Sequence, residues 1–119
     1  CWTSAAHGPV LLYRKELGMI EELPTSGPPL GILADCLYPA SGPCFLAPGD
    51  LLLIGTDGLW EARNGAGEMF GVQRLRQVLA SWADKPAAAI YGAIIDKVWA
   101  FRAPLRQDDD MTLMVIKAR

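Results

Sequence analysis

The sequence predicts a single domain that mixes strands and helices, and three observations carry that expectation. Short apolar runs separated by Pro- and Gly-rich turns fill the first half. Two successive helical patterns follow. A last apolar run closes the chain. At 119 residues the chain fits one domain, which buries about two thirds of its unfolded surface. With 51% hydrophobic and 20% charged residues the composition is that of a globular chain, not a disordered one. A formal charge of -2 carries no footprint for nucleic acid, so no nucleic-acid partner is expected. No apolar run approaches the ~18 residues that cross a membrane.

The chain opens on Cys1 rather than Met, and an apolar run, Val10-Leu11-Leu12-Tyr13, follows almost at once. A lipidated N-terminal cysteine is normally followed by a longer polar tether, and no signal-peptide pattern is present. The expectation is a piece of a longer polypeptide. Cys1, Cys36 and Cys44 are odd in number and lack metal-site spacing, which points to reduced thiols and a cytoplasmic setting.

In chain order, residues 9–14 and 19–23 read as strands joined by Glu16-Leu17-Gly18, a β-hairpin. Residues 24–31 are a Pro- and Gly-rich loop. Short strands are expected at 32–38 and 44–46, separated by the turn Pro39-Ala40-Ser41-Gly42-Pro43. Ala47-Pro48-Gly49-Asp50 launches Leu51-Leu52-Leu53-Ile54, a continuous apolar run expected of a strand covered on both faces.

That strand leads into Gly55-Thr56-Asp57-Gly58, where Gly58 permits a sharp turn beside the Asp57 carboxylate. A carboxylate at the lip of a buried strand is costly to desolvate unless it is paired, and a metal ion is one such partner. The plainer reading makes Asp57 a helix cap for residues from about 59 onward. Both readings stand on local sequence alone.

Residues 62–67 form a loop. Val72, Leu75, Leu79 and Trp82 then share one helical face, leaving Gln73, Arg74, Arg76 and Gln77 for a solvated side. Asp84-Lys85-Pro86 breaks this helix and starts another, with Pro86 in its first turn and Asp84 or Lys85 near the cap. The second helix runs to about 101 on Ala87, Ile90, Ile94, Val98 and Phe101, and Ile95 and Trp99 widen its stripe. Trp60, Trp82 and Trp99 read as core. Residues 111–118 form the last strand, preceded by Asp108-Asp109-Asp110. Three adjacent carboxylates belong in solvent unless something holds them. If this strand neighbours the one ending at Asp57, two carboxylates converge on one hard cation, and magnesium or manganese suits such oxygen ligands.

Several short motifs occur together and in order. Thr56-Asp57-Gly58-Leu59-Trp60-Glu61-Ala62, Gly67-Glu68-Met69-Phe70-Gly71 and Asp109-Asp110-Met111-Thr112 resemble the SpoIIE-type branch of the metal-dependent protein phosphatase (PPM) family. Ala5-Ala6-His7-Gly8-Pro9 resembles that branch's Ala-Gly-His-Pro-Pro turn. Gly27-Pro28-Pro29-Leu30-Gly31 and Pro48-Gly49-Asp50 resemble two further turns, so the likeness runs nearly end to end.

The resemblance implies an α+β fold, an α-β-β-α sandwich of mostly antiparallel sheets. It implies hydrolysis of phosphoserine or phosphothreonine on a protein by a water held between two Mn2+ or Mg2+ ions, with no side-chain nucleophile. Asp57 and Asp109 match metal ligands. Gly58, Asp110 and Glu61 are candidates to support those ligands from behind, and Asp108 matches no required position. His7 is expected to be a structural turn residue. Ala6 departs from the usual Gly, and the family's first Asp-Gly motif is absent, so the chain looks like the C-terminal portion of the domain. Such a piece is expected to be inactive by itself, with exposed apolar edges that favour self-association, a homodimer included. The partners implied are a phosphorylated protein such as an anti-sigma-factor antagonist and an upstream sensor or receiver domain. The alternative from another class is a catalytically silent PPM-fold binding module.

Overall fold

A computed structural model describes residues 1–104 and 110–119. The hairpin forms as its turn residues dictate: β1 (Val10–Arg14) and β2 (Met19–Leu23) pair antiparallel, and Gly18 takes a left-handed φ of 61° between them. β1 pairs on its other side with β3 (Leu51–Gly55), which pairs with β4 (Leu113–Lys117). All pairings are antiparallel and the sheet order is β2-β1-β3-β4.

One face of this sheet packs against α2 (Gly71–Trp82) and α3 (Ala87–Arg102). Leu11 and Leu53 are register partners on that face, and both are essentially inaccessible, as are Leu51, Leu75, Leu79, Ile90, Ile94 and Val98. Each fully buried Leu or Ile contributes about 1.5–3 kcal/mol relative to exposure, so this layer dominates the fold's stability. On the other face Leu12 is fully buried, whereas Met114 and Ile116 are 54% and 40% exposed. The expected cover of β3 on both faces is therefore uneven: Leu51 and Leu53 are buried, Leu52 and Ile54 only partly.

Polar clamps tie the layers together. Arg76, expected on a solvated helix face, donates to the Ile20 carbonyl and to Glu22, fixing α2 to β2. Arg74 pairs with Glu68 and stacks 4.6 Å from the Phe101 ring centroid. Lys117 donates to the carbonyls of Ala83 and Lys85, satisfying acceptors at the end of α2.

Several expectations are corrected. Residues 32–38 and 44–46 form no strand. Leu30, Ile32, Leu33, Leu37 and Phe45 are 59–86% exposed, and among the described residues Ser41 alone in this stretch makes a bridge, to Trp2. The segment pairs with neither edge strand, β2 or β4, so its apolar residues have no ladder. Pro86 is the N-cap of α3 rather than its first helical residue. Trp82 and Trp99 are not core: they are 38% and 43% exposed. One expectation in this group holds: Cys1, Cys36 and Cys44 are free thiols.

Candidate metal centre at one end of the sheet

Antiparallel pairing gathers three strand termini at one end of the sheet. Val10 opposes Ile54, and Ile54 opposes Met114, so the start of β1, the end of β3 and the start of β4 lie side by side. The adjacency of β3 and β4, the strands that Asp57 follows and Asp109 precedes in sequence, was an assumption from the sequence and is thus observed, while Asp109 itself lies outside the described residues.

β3 ends at Gly55, and Thr56 follows in extended conformation as the N-cap of the single-turn helix α1 (Asp57–Trp60). Asp57 is the first helical residue, not the cap. Among the described residues its Oδ1 accepts only the neighbouring Gly58 N–H, at 3.0 Å, and the residue is exposed. The helix closes through the Glu61 N–H, which donates to the Asp57 carbonyl at 2.8 Å. No ion pair between described residues engages the Asp57 carboxylate.

Thr56 stitches this turn to the start of β4. Its N–H donates to the Thr112 carbonyl at 3.0 Å, its Oγ1 accepts the Thr112 N–H at 3.0 Å, and its hydroxyl donates to the Asp110 carbonyl at 3.4 Å. Gly58 completes the contact: a Cβ there would lie 2.3 Å from the Asp110 carbonyl oxygen, a distance no side chain tolerates. The glycine is therefore needed for close backbone approach; it is helical with no left-handed φ, so the sharp turn expected of it is not what requires a glycine. Sequence reasoning missed Thr56, although a hydroxyl directly before the Asp-Gly pair was the available signal.

The other candidates are placed as follows. Glu61 is exposed and acts through its backbone. Asp110 is exposed, and its carbonyl sits against Gly58. Asp108 and Asp109 lie outside the described residues. His7 lies in the turn that enters β1, at this same end. Its carbonyl accepts the Ser4 hydroxyl at 2.9 Å, and the preceding Ala6 holds φ at 60°, a left-handed conformation costly for a residue with a Cβ. Its imidazole is exposed and borders a cavity over Val10, Leu52 and Ile54.

The opposite end of β3 carries a different carboxylate. Asp50 is 3% exposed and accepts from the Lys15 N–H at 2.9 Å, the Arg14 guanidinium at 3.0 Å and the Ala47 N–H at 3.1 Å. These donors, the Lys15 amide foremost, hold its carboxyl below the ordinary value of 3.8 against the opposing effect of burial.

The SpoIIE family description, Stage II sporulation protein E, matches residues 1–119. The chain belongs to the SpoIIE family. Protein IcfG of Synechocystis sp. is 31% identical over 80 residues, which is 67% of this chain and 12% of that protein. Among solved structures, the SiaA-PP2C domain of Pseudomonas aeruginosa is 25% identical with a TM-score of 0.75, covering 93% of this chain and 44% of that one. The PP2C phosphatase domain of Bacillus subtilis SpoIIE with a fragment of its regulatory domain has a TM-score of 0.73 at 18% identity, over 95% of this chain and 32% of that one. The fold is thus the α+β fold of PP2C phosphatase domains, and the chain spans less than half the length of each of these relatives. Among the described residues no helix is long and apolar enough to cross a membrane.

Does this SpoIIE-family end suit a divalent metal? Asp57 offers carboxylate oxygens with no cationic partner among the described residues, just past the end of a strand whose backbone is pinned on both sides. That is the hard-oxygen chemistry magnesium and manganese take. Among the described residues no set of three acidic, His or Cys side chains is gathered, so these residues do not by themselves make up a metal site.

Proposed function

We propose that the protein containing this chain is a metal-dependent protein serine/threonine phosphatase, and that residues 1–119 form the C-terminal portion of its catalytic domain. The observation that carries this reading is the Thr56-Asp57-Gly58 turn, held against the start of β4 in a chain whose whole length matches the SpoIIE family. Asp57 would hold a divalent ion together with Asp109, which the family resemblance assigns. When bound, a pair of Mn2+ or Mg2+ ions activates water and offsets phosphate charge. The chain's own residues supply placement. Thr56 fixes the distance between the two strand ends, Gly58 lets them touch, and the Glu61 N–H holds the turn that presents the Asp57 carboxylate. Supporting positions at Asp110 and Glu61 act through the backbone, and His7 shapes the neighbouring turn.

The substrate in this reading is a phosphoserine or phosphothreonine protein, an anti-sigma-factor antagonist being the expected kind, in a cytoplasmic signalling chain with an upstream sensor or receiver domain. The test is hydrolysis of a phosphothreonine peptide by the full-length protein with Mn2+ and with EDTA. Turnover that needs the metal supports the enzyme. A folded full-length protein that binds its partner without turnover would favour the silent binding module.

A further inference from the structure

One side chain organises the loop between α1 and α2. The Asn64 Oδ1 accepts the N–H groups of Ala66 and Glu68 at 3.0 and 2.9 Å, and its Nδ2 donates to the Glu68 carboxylate at 3.3 Å. The Asn64 backbone closes the same loop. Its N–H donates to the Glu68 carbonyl at 3.0 Å, and its carbonyl accepts the Gly67 N–H at 2.9 Å. Glu68 in turn holds Arg74 of α2 at 2.7 Å. The next residue, Gly65, is exposed, and a Cβ there would meet no atom within 4 Å. The Gly65 N–H donates to no backbone carbonyl among the described residues.

We propose that Asn64 is a modification site, where the loop deamidates itself through attack by the Gly65 backbone nitrogen. That nitrogen gives its proton to solvent and bonds to the Asn64 Cγ. The Cγ–Nδ2 bond breaks, the departing amide nitrogen takes up a proton and leaves as ammonia, and a five-membered imide remains. Water then adds to either imide carbonyl and opens the ring to an aspartate or an isoaspartate at position 64. The balance is one water consumed and one ammonia released, with no redox change. Three features favour the reaction here. Glycine places no side chain beside the attacking nitrogen. That nitrogen is not engaged with another described backbone group. Negative charge gathers on Oδ1 in the addition step, and the Ala66 and Glu68 amides already donate to that oxygen, as at an oxyanion site.

The consequence follows from the same contacts. The product carries an acceptor where Asn64 carried a donor, so two carboxylates face each other across the 3.3 Å contact. Glu68 stays ionised, because its hydrogen bond to Arg74 holds its carboxyl below the ordinary value. Repulsion between the two loosens the loop. An isoaspartate also adds a carbon to the main chain and shifts the Arg63–Met69 bridge out of register. The readout is mass rather than turnover, so the proposal stands apart from the catalytic reading.

The test ages the full-length protein in mildly alkaline and in mildly acidic buffer, then maps position 64 by peptide mass and isoaspartate detection. The expected result is progressive loss of the Asn64 amide with both aspartate and isoaspartate formed. Loss is faster in alkali, because the attacking nitrogen must deprotonate. Gly65→Ala is expected to abolish the conversion over the same interval, and Gly65 has no left-handed φ that would strain an alanine. Hydrogen exchange across residues 64–70 is expected to be faster in Asn64→Asp than in the parent, and unchanged exchange would overturn the loosening. An Asn64 that persists in the folded protein while the urea-unfolded protein converts would overturn the proposal, since the loop's hydrogen bonds then protect the side chain. Conversion without isoaspartate would overturn the imide route.

Discussion

The two ends of β3 carry one carboxylate each, and the molecule treats them oppositely. Asp50, before the strand, is buried and saturated by the Arg14 guanidinium and by the amides of Lys15 and Ala47. Asp57, just after the strand, is exposed and, among the described residues, accepts only from the next one. Arg14 is itself held by Glu21 and by the Phe45 carbonyl, so the Asp50 end is a closed polar cluster that locks the 44–50 segment to the hairpin. At the Asp57 end the backbone is fixed instead, by Thr56 and by the Gly58 contact, and the side chain is left available. A carboxylate whose acceptor sites are filled by protein donors serves the fold. One whose backbone is immobilised and whose oxygens accept, among the described residues, a single local N–H is suited to a ligand.

The largest effect expected from breaking this contrast is on turnover. In the full-length protein Asp57→Asn should lower metal-dependent hydrolysis of a phosphopeptide by more than about 10²-fold, since even residues that only orient metal ligands commonly cost 10–100-fold. Its thermal unfolding should stay within about 1–2 °C of the parent, because an exposed side chain with one local hydrogen bond contributes little. A mutant that keeps full activity would reject the assignment.

Gly58→Ala should come next. The added methyl must push the Asp110 carbonyl away, so activity should drop roughly 10-fold or more. Its signature is a raised metal requirement with the Asp57 carboxylate intact. If alanine is accepted with unchanged metal dependence, the close approach has no role in holding the site.

Asp50→Asn should show the converse pattern: loss of stability, by about 1–3 kcal/mol from unsatisfied buried groups, with metal dependence retained in the fraction that is folded. Urea unfolding measures it, and a change below ~0.5 kcal/mol would mean that the cluster is not structural.

The smallest effect is on acid stability. The Asp50 carboxyl is lowered by folding, so its contribution is complete above its ordinary 3.8 and disappears as pH falls through the lower folded value. The stability gap between the parent and Asp50→Asn should therefore be constant near neutrality and narrow below about pH 4. A gap that widens on acidification would reverse the assigned sign.

How far the sequence could be read divides along the same line. The hairpin, β3, α2, α3 and β4 were legible because each is a continuous apolar run or a periodic apolar stripe, with Gly18 and Pro86 marking turn and helix start. Apolar content misled where no partner was at hand, as at Ile32, Leu33 and Phe45, which lie exposed in loop. It misled also at Trp82 and Trp99, which flank the stripe rather than fill it. At the site, Asp57 was legible from its place at a strand end. That Thr56 and Gly58 carry the connection to β4 was not, because strand pairing across more than 50 residues leaves no local signature.

In the proposed reading β3 separates a carboxylate that builds from one that binds. Calorimetric titration of Mn2+ into the full-length parent, Asp50→Asn and Asp57→Asn tests it most directly, at a temperature where all three are folded. The expected result is binding by the parent and by Asp50→Asn at similar affinity, and loss of at least about tenfold in affinity for Asp57→Asn. Equal binding by the parent and Asp57→Asn would contradict the claim.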